Sequence, residues 1–583
     1  MKPNQLATTL ILSLAALGSR SIADEDIVGE QMRLCNTQSG YVAIHACSAM
    51  ISSGLLSPTD LAFVFSNRAA RFIDVGQIDS AISDLNQAID LNPNFTAAYD
   101  NRGGAHLAKG DFDLAIADFD RALKIDPNDA VAIRERGFAL DRKGDHDSAR
   151  AAYDQLIRIA PNDAVGFYRQ GLAYEGKGDH LHAVEAFDAA TNLHPDYVDA
   201  ILHRGISYQH AGKFDQAIAD YNHLLAINPT SSDALDNLGT VYQAKGDLDS
   251  ALNFYNKAIS AKPEFERALI NRGYLYFSRS DFDRAIADFA EAMRLDPKDA
   301  NPVNDRGVAY LAKGDFDRAL ADLNQALSIN PKLALTLNNR ARIFIKRGDN
   351  AHALLDLDQA ISLSSNDSKA YFNRGYVHEK LGNADLALTD FDQAIVLNPK
   401  FDAPLYERAS IYYDRGDYDR AINDLNQVVQ LKPNFEGGYY VRGRSYEKKG
   451  DHKRAIADYD NALATQPNDP YVLNSRCYVR AEMGKQLDLA LADCNKAVEL
   501  RPDDAGTLDS RGFVFLRLGR FDDSLQDYNA VLAKMPDLAE SLFGRGIDKL
   551  RKGDLAGGKA DLAAADALNP KVRTVFAAYG VAP

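Results

Sequence analysis

The sequence predicts an all-α solenoid of antiparallel helix pairs, made by one 34-residue unit written many times over. The first ground is period. Prolines recur at Pro93, Pro127, Pro161, Pro195, Pro229, Pro263, Pro297 and Pro331, lapse once at Ser365, and resume at Pro399, Pro433, Pro467, Pro502, Pro536 and Pro570. Every step is 34 residues except the 35-residue step to Pro502. One period over most of a chain means stacked units that bury their apolar faces against each other. The second ground is a pair of apolar stripes at helical spacing. In the unit Thr96–Asp129, Tyr99, Gly103 and His106 share one face, and Ala115, Phe119 and Ala122 share another. The third is the punctuation between them. Lys109-Gly110-Asp111 supplies a cationic last turn, a glycine suited to a left-handed residue and an aspartate suited to cap the next helix. Pro127 closes the second helix because it has no amide donor.

Numbered 1 to 34 from Thr96, the unit carries small residues at positions 8 (Gly103), 20 (Ala115) and 27 (Ala122), where two helices approach closely, and large ones at 4, 11 and 24. This pattern resembles the tetratricopeptide repeat (TPR) family, whose signature is a large residue at 4, Gly or Ala at 8, Tyr at 11, Ala at 20, an aromatic at 24, Ala at 27 and Pro at 32. The resemblance covers residues 62–572, fifteen units, with Ser524 and Gly558 the exceptions to Ala at position 20. It implies a right-handed superhelical solenoid whose first helices line a concave groove for peptides or partner proteins.

Residues 1–23 read as a secretory signal peptide: Lys2, an apolar run from Leu6 to Leu17, and Ser21-Ile22-Ala23 before Asp24. The run is short for a permanent anchor and no later segment reaches spanning length, so no membrane insertion is expected after cleavage. The mature chain is expected in an oxidising compartment, periplasmic or secreted. Residues 28–61 read as a degenerate N-terminal capping repeat with helices over 30–36 and 41–53. In its register Cys35 takes position 8 and Cys47 position 20, while Cys477 and Cys494 take positions 8 and 24 of one later unit. Two pairs, each confined to one hairpin, point to two disulfides; the alternative is four thiols acting as small apolar fillers. Residues 573–583 read as a short C-terminal cap.

Differences among the fifteen copies carry further information. Position 7, usually Leu in the family, is Arg in thirteen copies, and position 23 is Asp in twelve. The copies with Gln170 and Leu238 lack the Asp as well, having Ala186 and Phe254, and only Arg136 with Ala152 breaks the match. An ion pair inside each hairpin follows, exemplified by Arg102 with Asp118 and Arg306 with Asp322; shared descent of duplicated copies is the alternative. Position 6 is Asn at Asn67, Asn101, Asn237, Asn271, Asn339 and Asn373. A similar asparagine ladder occurs in TPR arrays that hold extended peptides, where a carboxamide both donates to and accepts from a peptide backbone. The rival reading bonds these asparagines to neighbouring helix termini. Position 5 is aromatic in three successive copies, Phe372, Tyr406 and Tyr440, either a receptor for apolar side chains or ordinary packing between repeats.

No nucleophile elbow, phosphate-binding glycine loop or zinc-protease motif is present, and the repeats leave no stretch for a catalytic domain. Six histidines lie between His180 and His223, but His203 and His210 are about 10.5 Å apart along a helix, too far to share one ion. Neither cofactor nor metal is expected. A net charge of −16 with no basic run excludes a nucleic-acid partner. What remains is a non-catalytic scaffold binding a protein or extended peptide in its groove, or a structural or assembly subunit of a cell-envelope export or polysaccharide machine acting through its convex face and ends. The sequence carries no signal for oligomeric state.

Overall fold

The computed structural model describes residues 22–583, with side chains from residue 29. The signal-peptide reading of 1–23 therefore lies outside the described residues except for Ile22 and Ala23. The described residues are all-α, with no strand, and end in a seven-residue helix, Val572–Ala578. The chain falls into two compact units, Met1–Leu295 and Asp296–Pro583, a division inside 62–572 that the repeat period does not mark. Within each unit, helical hairpins follow one another at the period of the prolines.

The hairpin Thr96–Lys109 with Phe112–Ile125 shows how the unit is made. Gly110 takes φ 82°, and the Gly110 and Asp111 amides donate to Leu107 and His106 carbonyls, which ends the first helix. Asp145, Asp315 and Asp417, the equivalents of Asp111, accept a backbone N–H of the helix they precede. Asp111 does not: its carboxylate turns back towards His106 Nδ1, 3.8 Å away, so the expected cap is missing in that copy. The extra residue of the 35-residue unit is absorbed in the turn, where Gln486 adopts φ 55°.

Positions 8 and 24 set the hairpin core. A Cβ on Gly103 would stand 2.7 Å from the Phe119 ring, and one on Gly171 would stand 2.4 Å from Phe187. Glycine therefore faces every ring at position 24, from Tyr153 to Tyr528. Alanine occurs only where the facing residue is leucine, as in Ala341 with Leu357 and Ala409 with Leu425, although Gly307 and Gly546 also face leucines, Leu323 and Leu562. Cys477 and Cys494 occupy this same pair of positions and form a disulfide between Pro470–Met483 and Leu487–Leu500. The other disulfide, Cys35–Cys47, ties the first two helices. Those helices run Ile22–Thr37 and Gly40–Ser52, so the first begins well before the expected residue 30. Asp24, Glu25 and Asp26 favour a helix start there, and nothing before Gly29 breaks the helix. At the other end, Phe576 of the last helix is buried between Phe513 and Phe543.

Candidate functional site

Position 7 holds the hairpins together. Arg102 donates from Nε and Nη2 to Asp118 at 2.9 and 2.6 Å, a two-pronged bond within the hairpin. Its Nη1 reaches back to Asn86 Oδ1 of the preceding hairpin at 2.7 Å. The fork recurs in Arg306 with Asp322, at 2.8 and 2.7 Å. Fork and back-bond recur together in Arg374 with Asp390 and Asp358, and in Arg408 with Asp424 and Asp392. The aspartates of the fork are buried, and the bond to Asp118 raises the Arg102 guanidinium above its ordinary value.

The back-bond explains the copies that depart from the pattern. Arg136, whose hairpin has Ala152, bonds Asp120 of the preceding hairpin at 2.6 Å, and Gln170 bonds Asp154 in the same way. Position 25 is the missed partner, and its signal was present: it is Asn or Asp in thirteen of the fifteen copies, Ala290 and Ala563 excepted.

The asparagines of position 6 form a second ladder. Asn101 Nδ2 donates to Ser66 Oγ, Asn271 to Asp236, Asn339 to Asn304 and Asn373 to Asn338, at 2.7 to 3.3 Å. Each acceptor is position 5 of the preceding first helix. Asn67 reaches Asn36 instead, and Asn237, which follows Leu202, has no such partner among the described residues. Asn101, Asn271, Asn339 and Asn373 thus each spend a donor on a side chain of the neighbouring first helix, while Asn67 reaches the last turn of the helix Ile22–Thr37.

Two of the three aromatics of position 5 pack towards the next first helix, and the third packs within its own hairpin. Phe372 meets Phe401 edge-on at 5.1 Å and Tyr406 meets Phe435 edge-on at 5.1 Å, each partner standing just before the next first helix. Tyr440 leans on Tyr459 at 6.2 Å, with the Arg444 guanidinium 5.8 Å from its ring. All three are half-buried.

Two carboxylates on this face were not singled out by spacing. Glu379, near the end of Ser368–Lys380, has Oε2 buried without a hydrogen-bond partner, and burial raises its carboxyl. Glu407, on Asp402–Asp414, is pushed up to about 7, by burial first and then by the charge of Glu379. Among the histidines, His180 and His210 stack at 4.6 Å and His203 Nδ1 lies 2.8 Å from Glu175 Oε2. No group of three or more metal-binding side chains is assembled among the described residues. Nor is any helix there long and apolar enough to cross a membrane.

Comparison with known proteins agrees with this architecture. Family models described as tetratricopeptide repeat match residues 67–130, 106–166, 165–197, 197–264, 237–300, 304–333, 368–401 and 437–469. One described as TPR repeat matches 341–382 and 409–450. No curated protein matches the chain. Among solved structures, the Cut9–Hcn1 hetero-tetramer of the APC/C is similar at 16% identity over 81% of this chain and 98% of that one, with a TM-score of 0.41. Yeast Tom70 is similar at 17% identity over 74% and 99%, with a TM-score of 0.37. YrrB, described as a TPR protein with an unusual peptide-binding site, is 19% identical over 32% and 97%, with a TM-score of 0.27.

Proposed function

The chain belongs to the tetratricopeptide repeat family, and on that premise we propose that it is a non-catalytic scaffold, exported to the periplasm or secreted, that binds a protein or extended peptide on its first-helix face. One observation carries the reading. The recurrent residues are committed to the solenoid, Arg102 and its equivalents to the clamp, Asn101 and its equivalents to the ladder, and Gly103 and its equivalents to the rings. Residues that differ from copy to copy, such as Leu335, Arg342 and Asp414, stand exposed on first helices. A surface of varied side chains on a rigid frame suits recognition rather than chemistry. Export is supported by the signal-like segment 1–23 and by the pairing of all four cysteines in disulfides.

A crosslinking pull-down from fractionated cells tests both parts. The protein is expected in the envelope or medium with an N-terminus near Asp24, and recovery of the full-length chain from the cytoplasm overturns export. Captured protein is expected to be lost with Leu335→Asp and Arg342→Glu and retained with Leu355→Asp on a second helix. Leu355, Leu386 and Val396 expose apolar surface on second helices. Loss confined to Leu355→Asp therefore favours the assembly-subunit reading instead.

A further inference from the structure

We infer that segment 576–583 is a displaceable internal occupant of the first-helix face of the last three hairpins, and that this face takes from a partner a short helical segment carrying two aromatic side chains three residues apart. This specification rests on the scaffold reading above. The first helices of those hairpins are Pro470–Met483, Ala505–Arg517 and Ala539–Arg551. A segment that only covered the end of the stack would need to touch the last of them. The helix Val572–Ala578 and the residues after it reach all three. Phe576 lies 4.7 Å from Phe543 on the third and stands edge-on to Phe513 on the second at 5.5 Å. Tyr579 lies 5.7 Å from Phe513 and carries on to Tyr478 and Glu482 on the first, where burial and then the Glu482 carboxylate raise its phenol.

The same register stands open in earlier hairpins. Phe513 occupies position 9 of its unit and is 3% exposed, whereas Tyr274, at that position, is 44% exposed and Arg342 is exposed too. The polar bonds that hold the segment are of a kind any peptide can make. Arg517 donates to the Tyr579 main-chain carbonyl, and Arg551 donates to the Ala582 carbonyl at 3.2 Å. A helix end leaves its last carbonyls free for such cations. Gly580, at φ 75°, ends the helix, with the Val581 amide on the Phe576 carbonyl, so the turn closes on itself. Arg573 pairs with Asp566, but beyond it no salt bridge or disulfide ties the segment to the hairpins among the described residues. Specificity therefore rests on the Phe576 and Tyr579 rings, and a partner helix with aromatics at the same spacing competes for Phe543, Phe513 and Tyr478.

The test uses the full chain and fluorescence anisotropy, with a labelled synthetic peptide of residues 572–583 as the probe. Because the segment closes its own site, wild type is expected to bind the probe about ten-fold or more weakly than the chain carrying Phe576→Ala and Tyr579→Ala. Tyr579→Ala alone, which leaves the buried Phe576 in place, is expected to tighten binding in the same direction. Adding Arg517→Ala to the double variant is expected to weaken the probe again, and a probe with alanine at both aromatic positions is expected not to bind. Hydrogen exchange of the helix Phe521–Lys534 is expected to be unchanged in the variants. Loss of its protection makes the segment a structural cap and overturns the proposal. Equal binding by wild type and both strap variants overturns it as well, as does no binding at about 1 mM probe, the effective concentration of a short tether. Equal binding of the alanine probe overturns the aromatic specificity. If the proposal fails while the pull-down still recovers a partner sensitive to Leu335→Asp and Arg342→Glu, the scaffold reading stands and only the internal occupant falls.

Discussion

Replacing Arg374 with leucine probes the clamp where its geometry is complete. The guanidinium donates to Asp390 at 2.9 and 2.7 Å and to Asp358 at 2.7 Å. Asp390 is buried, with 5% of its side chain exposed, whereas Asp358 is 63% exposed. The arm to Asp358 is therefore worth about 0–1 kcal/mol, like other exposed pairs. Loss of the fork strands a buried carboxylate, for which about 3–5 kcal/mol is usual; partial exposure of the arginine puts the expectation near 3 kcal/mol. The chain contains its own control, since Leu238 and Phe254 occupy these two positions in one copy and pack in one apolar cluster. Arg374→Leu combined with Asp390→Phe is expected to return to within about 1 kcal/mol of wild type. Solenoids unfold in parts, so the measurement is native-state hydrogen exchange of the helix Ala384–Leu397, with Ile78–Leu91 of the other unit as internal reference. A single-variant loss under about 0.5 kcal/mol, the size of an ordinary surface change, would falsify the clamp. A double variant no more stable than the single one refutes the stranded-charge argument.

Gly375→Ala is expected to destabilise its hairpin by about 1–3 kcal/mol through the Phe391 ring, 2.8 Å from the new methyl, and Phe391→Leu in addition to recover most of it; exchange of the same helix reads both. Asp548 yields a pH prediction. It is fully buried, neither carboxylate oxygen has a partner, and its neighbour Ser524 donates to Gly512 O instead. Burial pushes the carboxyl up to about 7 from an ordinary 3.8. The folded chain thus binds this proton more tightly than the unfolded chain, so the contribution to stability declines as pH rises from about 4 to 7 and is level above. Asp548→Ala, which copies Ala309 of an earlier unit, is expected to remove that decline and raise the melting temperature of the C-terminal hairpins at pH 8. Equal pH profiles for the two proteins speak against it.

The sequence by itself determined the all-α class and the hairpin unit, because a 34-residue period with two apolar stripes leaves one way to bury them. It also carried the pairing of position 7 with position 23, since Leu238 and Gln170 lose their aspartates together. The third arm of the clamp was visible at position 25 but had no reason to be weighed until successive hairpins were seen to stack. The Asn ladder could not be settled in advance. Whether Asn373 meets a ligand or Asn338 depends on how one first helix is rotated against the next, and a carboxamide suits both. Glu379 and Glu407 carry no periodic signal at all. Residues 28 and 35 apart become neighbours only when helices from successive hairpins lie side by side, so the tertiary stack decides which polar groups are spent on the frame and which remain to meet a partner.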